Sequence, residues 1–354
     1  MTTNHKIEII IMKPKYRNLF FLFGVLAIVI MLLTFKMDYD ELWRNISKAG
    51  YWFIAVMATW VVVYFFSTVS WRFLIKGGDK KCPVGFWKLY KLSVSGFALN
   101  YATPCGLLGG EPYRIMELTP YVGVERATSS VLLYLMMHVF SHISFWLSTI
   151  ILYVFTRHVT VPIGILLVCA GAFCCLAIYF FMKGYRNGMV VKIFTFLQKV
   201  PFVKGWAARF YAEKKESLSR IDSQIAELHR HRKSTFYASY FFEFLSRTLM
   251  GVEIFFILKI LTPHVNLLDC MFIISFTSLF ANIFFFSPMQ LGAREGGFAM
   301  AVSGLALSGA FGVYTSLIAR VRELLWIVIG VLLMKVGNKK PDAKLDVSDG
   351  NNQV

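Results

Sequence analysis

Nine apolar runs divide this 354-residue chain. They cover residues 19–35, 52–71, 92–108, 129–155, 160–182, 235–260, 268–286, 296–308 and 311–334. A helix needs about 20 apolar residues to cross the hydrocarbon core of a bilayer. Most runs approach or exceed that length, but 92–108 and 296–308 are short and interrupted. The pattern predicts an all-α integral membrane protein, built as a polytopic helical bundle.

The composition agrees with this fold class and bears on the binding partners. Hydrophobic residues make up 57% of the chain and charged residues 16%, against about 45–50% and about 25% in soluble domains. The formal net charge of +17 could indicate nucleic acid. However, the Lys and Arg residues lie mostly in segments that flank apolar runs, where the positive-inside rule and anionic lipid explain them. We therefore predict membrane lipids as partners and no nucleic acid.

The distribution of loop charge predicts the orientation of the chain. Segments before residue 19, at 72–91, at 183–233 and after 334 are rich in Lys and Arg, whereas 36–51 is balanced. Basic segments face the cytoplasm, so both termini are predicted there, in a multi-pass protein of the plasma (inner) membrane. The predicted organisation is a cytoplasmic N-terminal segment (1–18), one transmembrane domain (19–335) that includes the cytoplasmic basic loop 183–233, and a disordered cytoplasmic tail (336–354).

Counting the spans predicts two re-entrant hairpins. Spans 129–155 and 160–182 leave the cytoplasm and return, so 86–120 must begin and end on the cytoplasmic side, as a hairpin or a surface segment. By the same count, 268–308 begins and ends outside, as a hairpin or two crossings. The order span, hairpin, span then occurs twice with opposite orientation, which is the inverted repeat of many transporters.

Each hairpin carries the pattern Ser/Thr-Pro-x-x-Leu-x-x-x-Glu. The first copy contains Pro104 and ends at Glu111, and the second contains Pro288 and ends at Glu295. A helix-breaking Pro and a Glu are tolerated at membrane depth only within protein or beside a water-filled cavity. We therefore predict hairpin breaks at the two prolines, and we expect Glu111 and Glu295 near each other at mid-membrane.

Polar residues beside these motifs are candidates for binding a lipid head group. Asn100 lies upstream of the first motif, and Arg114 shares a helix face with Glu111, as a head-group contact or as a structural ion pair. Arg294 adjoins Glu295, where helix N-terminal amides after the break would favour anions.

The last apolar run contains Arg320, Arg322 and Glu323. Intramembrane charge of this density needs partners or water. Either arginine could contact a lipid phosphate, or pair with Glu295 or Glu243 in packing.

Two further pairs are secondary candidates. Glu243 and Arg247, four residues apart in one run, favour an internal salt bridge. His138 and His142 also share a helix face, but no Cys or carboxylate follows at ligand spacing. They favour a hydrogen-bonded helix contact, with proton sensing as the alternative. Neither a metal nor a cofactor is predicted.

Taken together, these motifs resemble those of the lysylphosphatidylglycerol synthase transmembrane (flippase) family. The first signature is Asn100–Pro104 with Gly110-Glu111-x-x-Arg114; the second is Pro288-x-x-x-Gly292-x-x-Glu295 with Gly304, Arg320 and Gly330. The similarity covers about residues 15–335. It implies a polytopic protein with inverted re-entrant segments that moves a phospholipid or lipid-linked head group between leaflets. Some relatives carry a fused aminoacyltransferase domain, which this sequence lacks, so synthase activity is not implied.

Three functional hypotheses follow from the residues and the resemblance. The leading one is a flippase-like transporter of an anionic or aminoacylated phospholipid or a lipid-linked sugar, facilitated or ion-coupled rather than driven by ATP. The second is a membrane-embedded transferase, for which His138 and Glu111 are the candidate pair. The third is an accessory subunit of a membrane glycosyltransferase. A homo-oligomer and a synthase partner are left open.

Overall fold

The computed structural model describes most of the chain between residues 17 and 336. The described residues are 17–22, 25–26, 44, 47, 49–76, 82–102, 109–187, 190–199, 204–231, 233–262, 264–283, 290, 292–305 and 308–336. Most of the predicted first span (19–35), the predicted tail, Pro104 and Pro288 lie outside this set. The described part is almost entirely helical and contains no strand, which confirms the predicted all-α class.

Four helices form the first half of the bundle: α1 (Tyr51–Lys76), α2 (Phe86–Ala102), α3 (Gly110–Val122) and α4 (Val124–Thr156). Gly123 separates α3 from α4 with φ 78°, a conformation that a Cβ would strain. Its amide donates to Thr119 O at 2.9 Å, which completes the end of α3.

A second set of four helices forms the other half: α8 (Lys233–Lys259), α9 (Leu267–Ile283), α10 (Ala293–Gly304) and α11 (Gly309–Leu333). At the start of α10, Gly292 has φ 77° and donates its amide to Glu295 Oε2 at 2.8 Å. This bond satisfies one of the free amides at the helix N-terminus. Glu295 therefore has a structural role in starting α10.

The two halves repeat in helix order and length. The first contains helices of 26, 17, 13 and 33 residues, and the second contains helices of 27, 17, 12 and 25. In each half the two short helices, α2 with α3 and α9 with α10, pack against each other. These pairs coincide with the predicted hairpins.

Equivalent first helices run in opposite directions. Ser67 and Ser70 of α1 hydrogen-bond Ser246 and Ser239 of α8 at 3.0 and 2.8 Å, so the residue numbers rise on one helix as they fall on the other. This opposite direction is what an inverted repeat requires.

A matching pair of contacts extends the repeat to the other helices. Ser95 Oγ of α2 donates to Gly330 O of α11 at 2.8 Å, and Trp146 Nε1 of α4 donates to Ser278 Oγ of α9 at 2.9 Å. Trp146 precedes Gly330 by 184 residues, and Ser278 follows Ser95 by 183. The contact between α2 and α11 therefore has an equivalent between α9 and α4, and each contact joins one helix of each half.

The segment between the halves contains α5 (Val161–Asn187), α6 (Val190–Leu197) and α7 (Lys204–His231). Asp222 of α7 accepts the amide of Val191 at 2.9 Å, and Arg220 pairs with Glu125 of α4 at 3.1 Å. The first contact joins α6 to α7, and the second connects the basic segment to the bundle.

Within the described residues, three helices are long and apolar enough to cross a membrane by length and composition: Tyr51–Lys76, Val124–Thr156 and Val161–Gly184. Little of the third is buried, and Ile165, Val168 and Phe173 are among its exposed apolar side chains. A helix with apolar side chains exposed over so much of its surface is suited to lipid. The helices α8 and α11 have a similar length but carry buried ionisable residues, among them Glu243 and Arg322.

Candidate functional site

A cavity of about 530 Å³ lies between the two halves. Its walls take residues from all eight helices of the repeat, α1–α4 and α8–α11. The volume falls within the range of about 300–1,000 Å³ that small-molecule sites occupy. The acidic, basic and imidazole side chains in its lining are those of Glu111, Arg114, His138, His142, Arg247, Arg294 and Glu323.

The first motif forms a hydrogen-bonded unit on the cavity wall. Asn100 Nδ2 and Arg114 Nη1 both donate to Glu111 Oε1, at 3.0 and 3.2 Å, and Asn100 Oδ1 accepts the Gly110 amide at 2.8 Å. The other carboxylate oxygen, Glu111 Oε2, has no hydrogen-bond partner among the described residues. Gly110 has to be glycine because an added Cβ would overlap Gly96 O. The motif thus keeps one buried acceptor beside the cavity without a donor among the described residues.

Arg114 is held in place by its surroundings. It donates to Ser93 O at 3.1 Å and to Leu92 O at 3.4 Å, and its guanidinium lies 5.7 and 5.3 Å from the Trp71 and Tyr134 ring centroids. Backbone carbonyls and ring faces both favour a cation. Arg114 therefore forms a structural ion pair with Glu111 and also lines the cavity. Its contact with a head group stays a prediction.

The second motif connects the two halves. Arg294 Nη1 donates to Tyr101 Oη of α2 at 2.6 Å and pairs with Glu323 of α11. Arg320 pairs with Glu295 at 3.1 Å and with Glu323 at 3.4 Å. The pairing of Arg320 with Glu295 is the packing alternative that the sequence left open.

Arg322 lies behind the cavity wall rather than on it. Its side chain is 2% exposed, pairs with Glu253 at 2.7 Å, and lies 4.0 Å from the Trp60 ring centroid. Arg320 and Arg322 are both absent from the cavity lining, although each touches a residue that belongs to it. A direct phosphate contact by either arginine stays a prediction.

A third charged group joins α4 to α8. His138 Nδ1 lies 2.8 Å from Glu243 Oε1, and Arg247 Nη2 lies 3.1 Å from the same oxygen. The predicted Glu243–Arg247 ion pair and the predicted helix contact of His138 are therefore present. The candidate transferase pair is not in contact, because Glu111 bonds Asn100 and Arg114 while His138 bonds Glu243.

The sequence-predicted residues separate into two sets. Asn100, Glu111, Arg114, Arg294, His138, His142, Arg247 and Glu323 line the cavity; Glu243, Glu295, Arg320 and Arg322 pair with charged groups beside it. A chain of contacts runs from Glu295 through Arg320, Glu323 and Arg294 to Tyr101, which follows Asn100. This chain links the two motifs, but their depth in a membrane stays a prediction.

Tyr101, Trp60 and Glu253 are contacts that sequence reasoning did not identify. Aromatic residues within apolar runs are common in helix cores, so nothing in the local pattern separates Tyr101 or Trp60 from packing residues. The available signal was charge, because an arginine within an apolar run requires a carboxylate partner. In the structure, the buried Glu253 is that partner for Arg322.

The fold and the site define an all-α membrane protein whose two repeated halves enclose a cavity lined by paired charges. More specifically, the chain belongs to the family described as the lysylphosphatidylglycerol synthase TM region, whose model matches residues 21–331. The comparison with curated proteins gives no match, and neither does the comparison with solved structures.

Proposed function

We propose that this protein is a lipid transporter that moves a phospholipid or lipid-linked head group between the two leaflets. The observation that carries the proposal is the charged cavity between two halves whose equivalent helices run in opposite directions. Such a site, at the interface of inverted repeats, is where secondary transporters bind substrate.

In a membrane, the proposed arrangement places residues 19–335 in one transmembrane domain with both termini in the cytoplasm. The pairs α2/α3 and α9/α10 are then re-entrant hairpins that enter from opposite faces. The loop charges support this orientation, because the basic segments fall on one side. The abundance of basic residues beside the membrane also suits the anionic inner leaflet of a plasma membrane.

The cavity lowers the cost of moving a polar head group through hydrocarbon. The arginines in its wall and directly behind it are matched by carboxylates, because Arg114, Arg247, Arg294, Arg320 and Arg322 each pair with a glutamate. A balanced site can exchange these internal ion pairs for contacts to a substrate. In the proposed mechanism Glu111 Oε2 accepts hydrogen bonds from head-group donors, while Arg294 approaches the phosphate.

The test is lipid movement in reconstituted vesicles. Acyl-labelled phospholipids are incorporated with the purified protein, and the label in the outer leaflet is reduced by dithionite to measure movement from the inner leaflet. Wild-type protein is expected to accelerate this movement over protein-free vesicles. Glu111→Ala should lose most of the acceleration while remaining folded.

Glu125→Ala is the matched control. Glu125 is a carboxylate on α4 whose partner is Arg220 of α7, and it does not line the cavity. The substitution should leave movement near the wild-type rate. Movement by wild type that is no faster than in protein-free vesicles, for every lipid class tried, would refute the proposed function; equal rates for Glu111→Ala and Glu125→Ala would refute the site.

A further inference from the structure

The His138 cluster has a hydrogen-bond pattern that fixes its protonation state. A carboxylate oxygen only accepts and a guanidinium only donates. His138 Nδ1 lies 2.8 Å from Glu243 Oε1, and Arg247 Nη2 lies 2.7 Å from Nε2 and also contacts Nδ1. A guanidinium this close requires an unprotonated ring nitrogen. The arrangement therefore holds His138 as the neutral imidazole.

Adding a proton to this ring would displace Arg247. The protonated imidazole has two N–H donors and no acceptor, so it would face the Arg247 guanidinium as a like charge while still bonding Glu243. The side chain of Glu243 is fully buried and cannot turn to water, and His138 is 39% exposed. Arg247 lines the cavity, and its Nε has no hydrogen-bond partner among the described residues. The cavity is thus the direction in which Arg247 can move.

The repeat gives an internal comparison for this cluster. The residue 184 positions after His138 is Arg322, and the residue 183 positions before Glu243 is Trp60. Arg322 lies over the Trp60 ring and pairs with Glu253. The second half therefore has a permanent cation where the first half has an imidazole, which can be neutral or charged.

We propose that His138 is a proton-binding site whose protonation releases Arg247 into the cavity, where it binds an anionic, phosphate-bearing head group. The inference rests on the proposed function and adds its coupling ion. The charges balance: neutral His138 with Glu243 and Arg247 sums to zero, one proton makes the cluster +1, and one phosphodiester neutralises it. Protonation and head-group binding thus favour each other.

Several other titratable and charged groups surround the His138 ring. The titratable and charged groups that face His138 are Tyr134 and His142 on α4, Tyr64 on α1, Arg114 on α3, and Glu243 and Arg247 on α8. Thr277 and Ser278 on α9 also line the cavity and do not titrate. His142 contacts His138 with ring centroids 5.3 Å apart, and the described contacts of Glu243 do not include it.

The experiment measures lipid and proton movement in the same vesicles. Wild-type protein is reconstituted with acyl-labelled phosphatidylglycerol and a pH-sensitive dye in the lumen. Lowering the pH from about 8 to about 5 should raise the rate of lipid movement at least threefold, since an imidazole takes up a proton as the medium becomes acidic. Lipid movement should be accompanied by proton entry. An acyl-labelled glucosyl lipid, which has no phosphate, should show neither response.

Two variants assign the response to one ring. His138→Gln retains a hydrogen-bonding side chain but cannot take up the proton, so both the pH response and the proton entry should be lost. His158→Gln changes an exposed imidazole beyond the end of α4 that does not line the cavity, and this variant should keep both. The same loss in both variants would overturn the assignment to His138.

Measurements on the wild-type protein alone distinguish failure of the proton site from failure of the proposed transport function. If it moves phosphatidylglycerol at equal rates at both pH values without proton entry, the proton site is refuted and the proposed transport stands. If it moves no lipid at either pH, the proposed function fails, and this inference fails with it.

Discussion

Buried arginines around the cavity depend on particular carboxylates. Arg322 and Glu253 are 2% and 1% exposed in their side chains and lie 2.7 Å apart. A charge this deep is stable only while its partner is present, since neither hydrocarbon nor packed protein can solvate it.

Removing that partner should therefore cost far more than removing a surface one. We expect Glu253→Gln to destabilise the protein by about 3–5 kcal/mol, the usual cost of leaving a buried charge unpaired. Glu125→Gln, which breaks the half-exposed pair with Arg220, should cost no more than about 1 kcal/mol. Unfolding of the purified proteins in detergent compares the two, and similar losses would contradict a buried pair at Arg322.

Local spacing predicted the charge pairs within one helix but not those between helices. Glu111 with Arg114 and Glu243 with Arg247 are three and four residues apart, so helix geometry alone brings them together. The partner of Arg322 lies 69 residues away on another helix. That choice is decided by which helices pack together, which the charges in one apolar run do not specify.

At the scale of helices, the crossing of α2 and α11 depends on glycine. A Cβ added at Gly330 would lie 2.7 Å from Ala98 Cβ and 2.8 Å from Val94 O. The two backbones therefore approach too closely for any side chain, and Ser95 donates to the Gly330 carbonyl at the same place.

Gly330→Ala should consequently separate α2 from α11. We expect a loss of about 1–3 kcal/mol, which is typical of an overpacked core. Gly171→Ala is the control, because Gly171 is a helix residue of α5 with nothing within 4 Å of an added Cβ. That change should be neutral or stabilising by up to about 1 kcal/mol. Thermal unfolding of both variants tests the crossing, and a neutral Gly330→Ala would show that the helices are farther apart.

Apolar run length located the helices well, with α4 and α8 within a few residues of runs 129–155 and 235–260. The short runs were more difficult. The helix α2 begins at Phe86, six residues before its apolar run, because Lys88 and Lys91 lie in its first turns. These lysines bond Glu117 and the carbonyl of Val336, tertiary partners that a hydropathy pattern does not reveal.

At the scale of the whole molecule, the proposed orientation places two connecting segments on opposite faces of the membrane. Gly205 belongs to the basic segment, and the exposed Thr160 lies between α4 and α5. In a variant with the native cysteines replaced by alanine, Thr160→Cys should react with a membrane-impermeant maleimide on intact cells. Gly205→Cys should react only after permeabilisation. Labelling of both from the same side would contradict the predicted parity and, with it, the opposite orientation of the hairpins.

The central claim is that the cavity between the two halves holds a lipid head group. A structure of the protein in nanodiscs that contain anionic phospholipid tests it most directly. We predict head-group density inside the cavity, within hydrogen-bonding distance of Glu111 Oε2 and Arg294. Head-group density confined to the outer faces of the helices, with the cavity holding only water, would contradict the account.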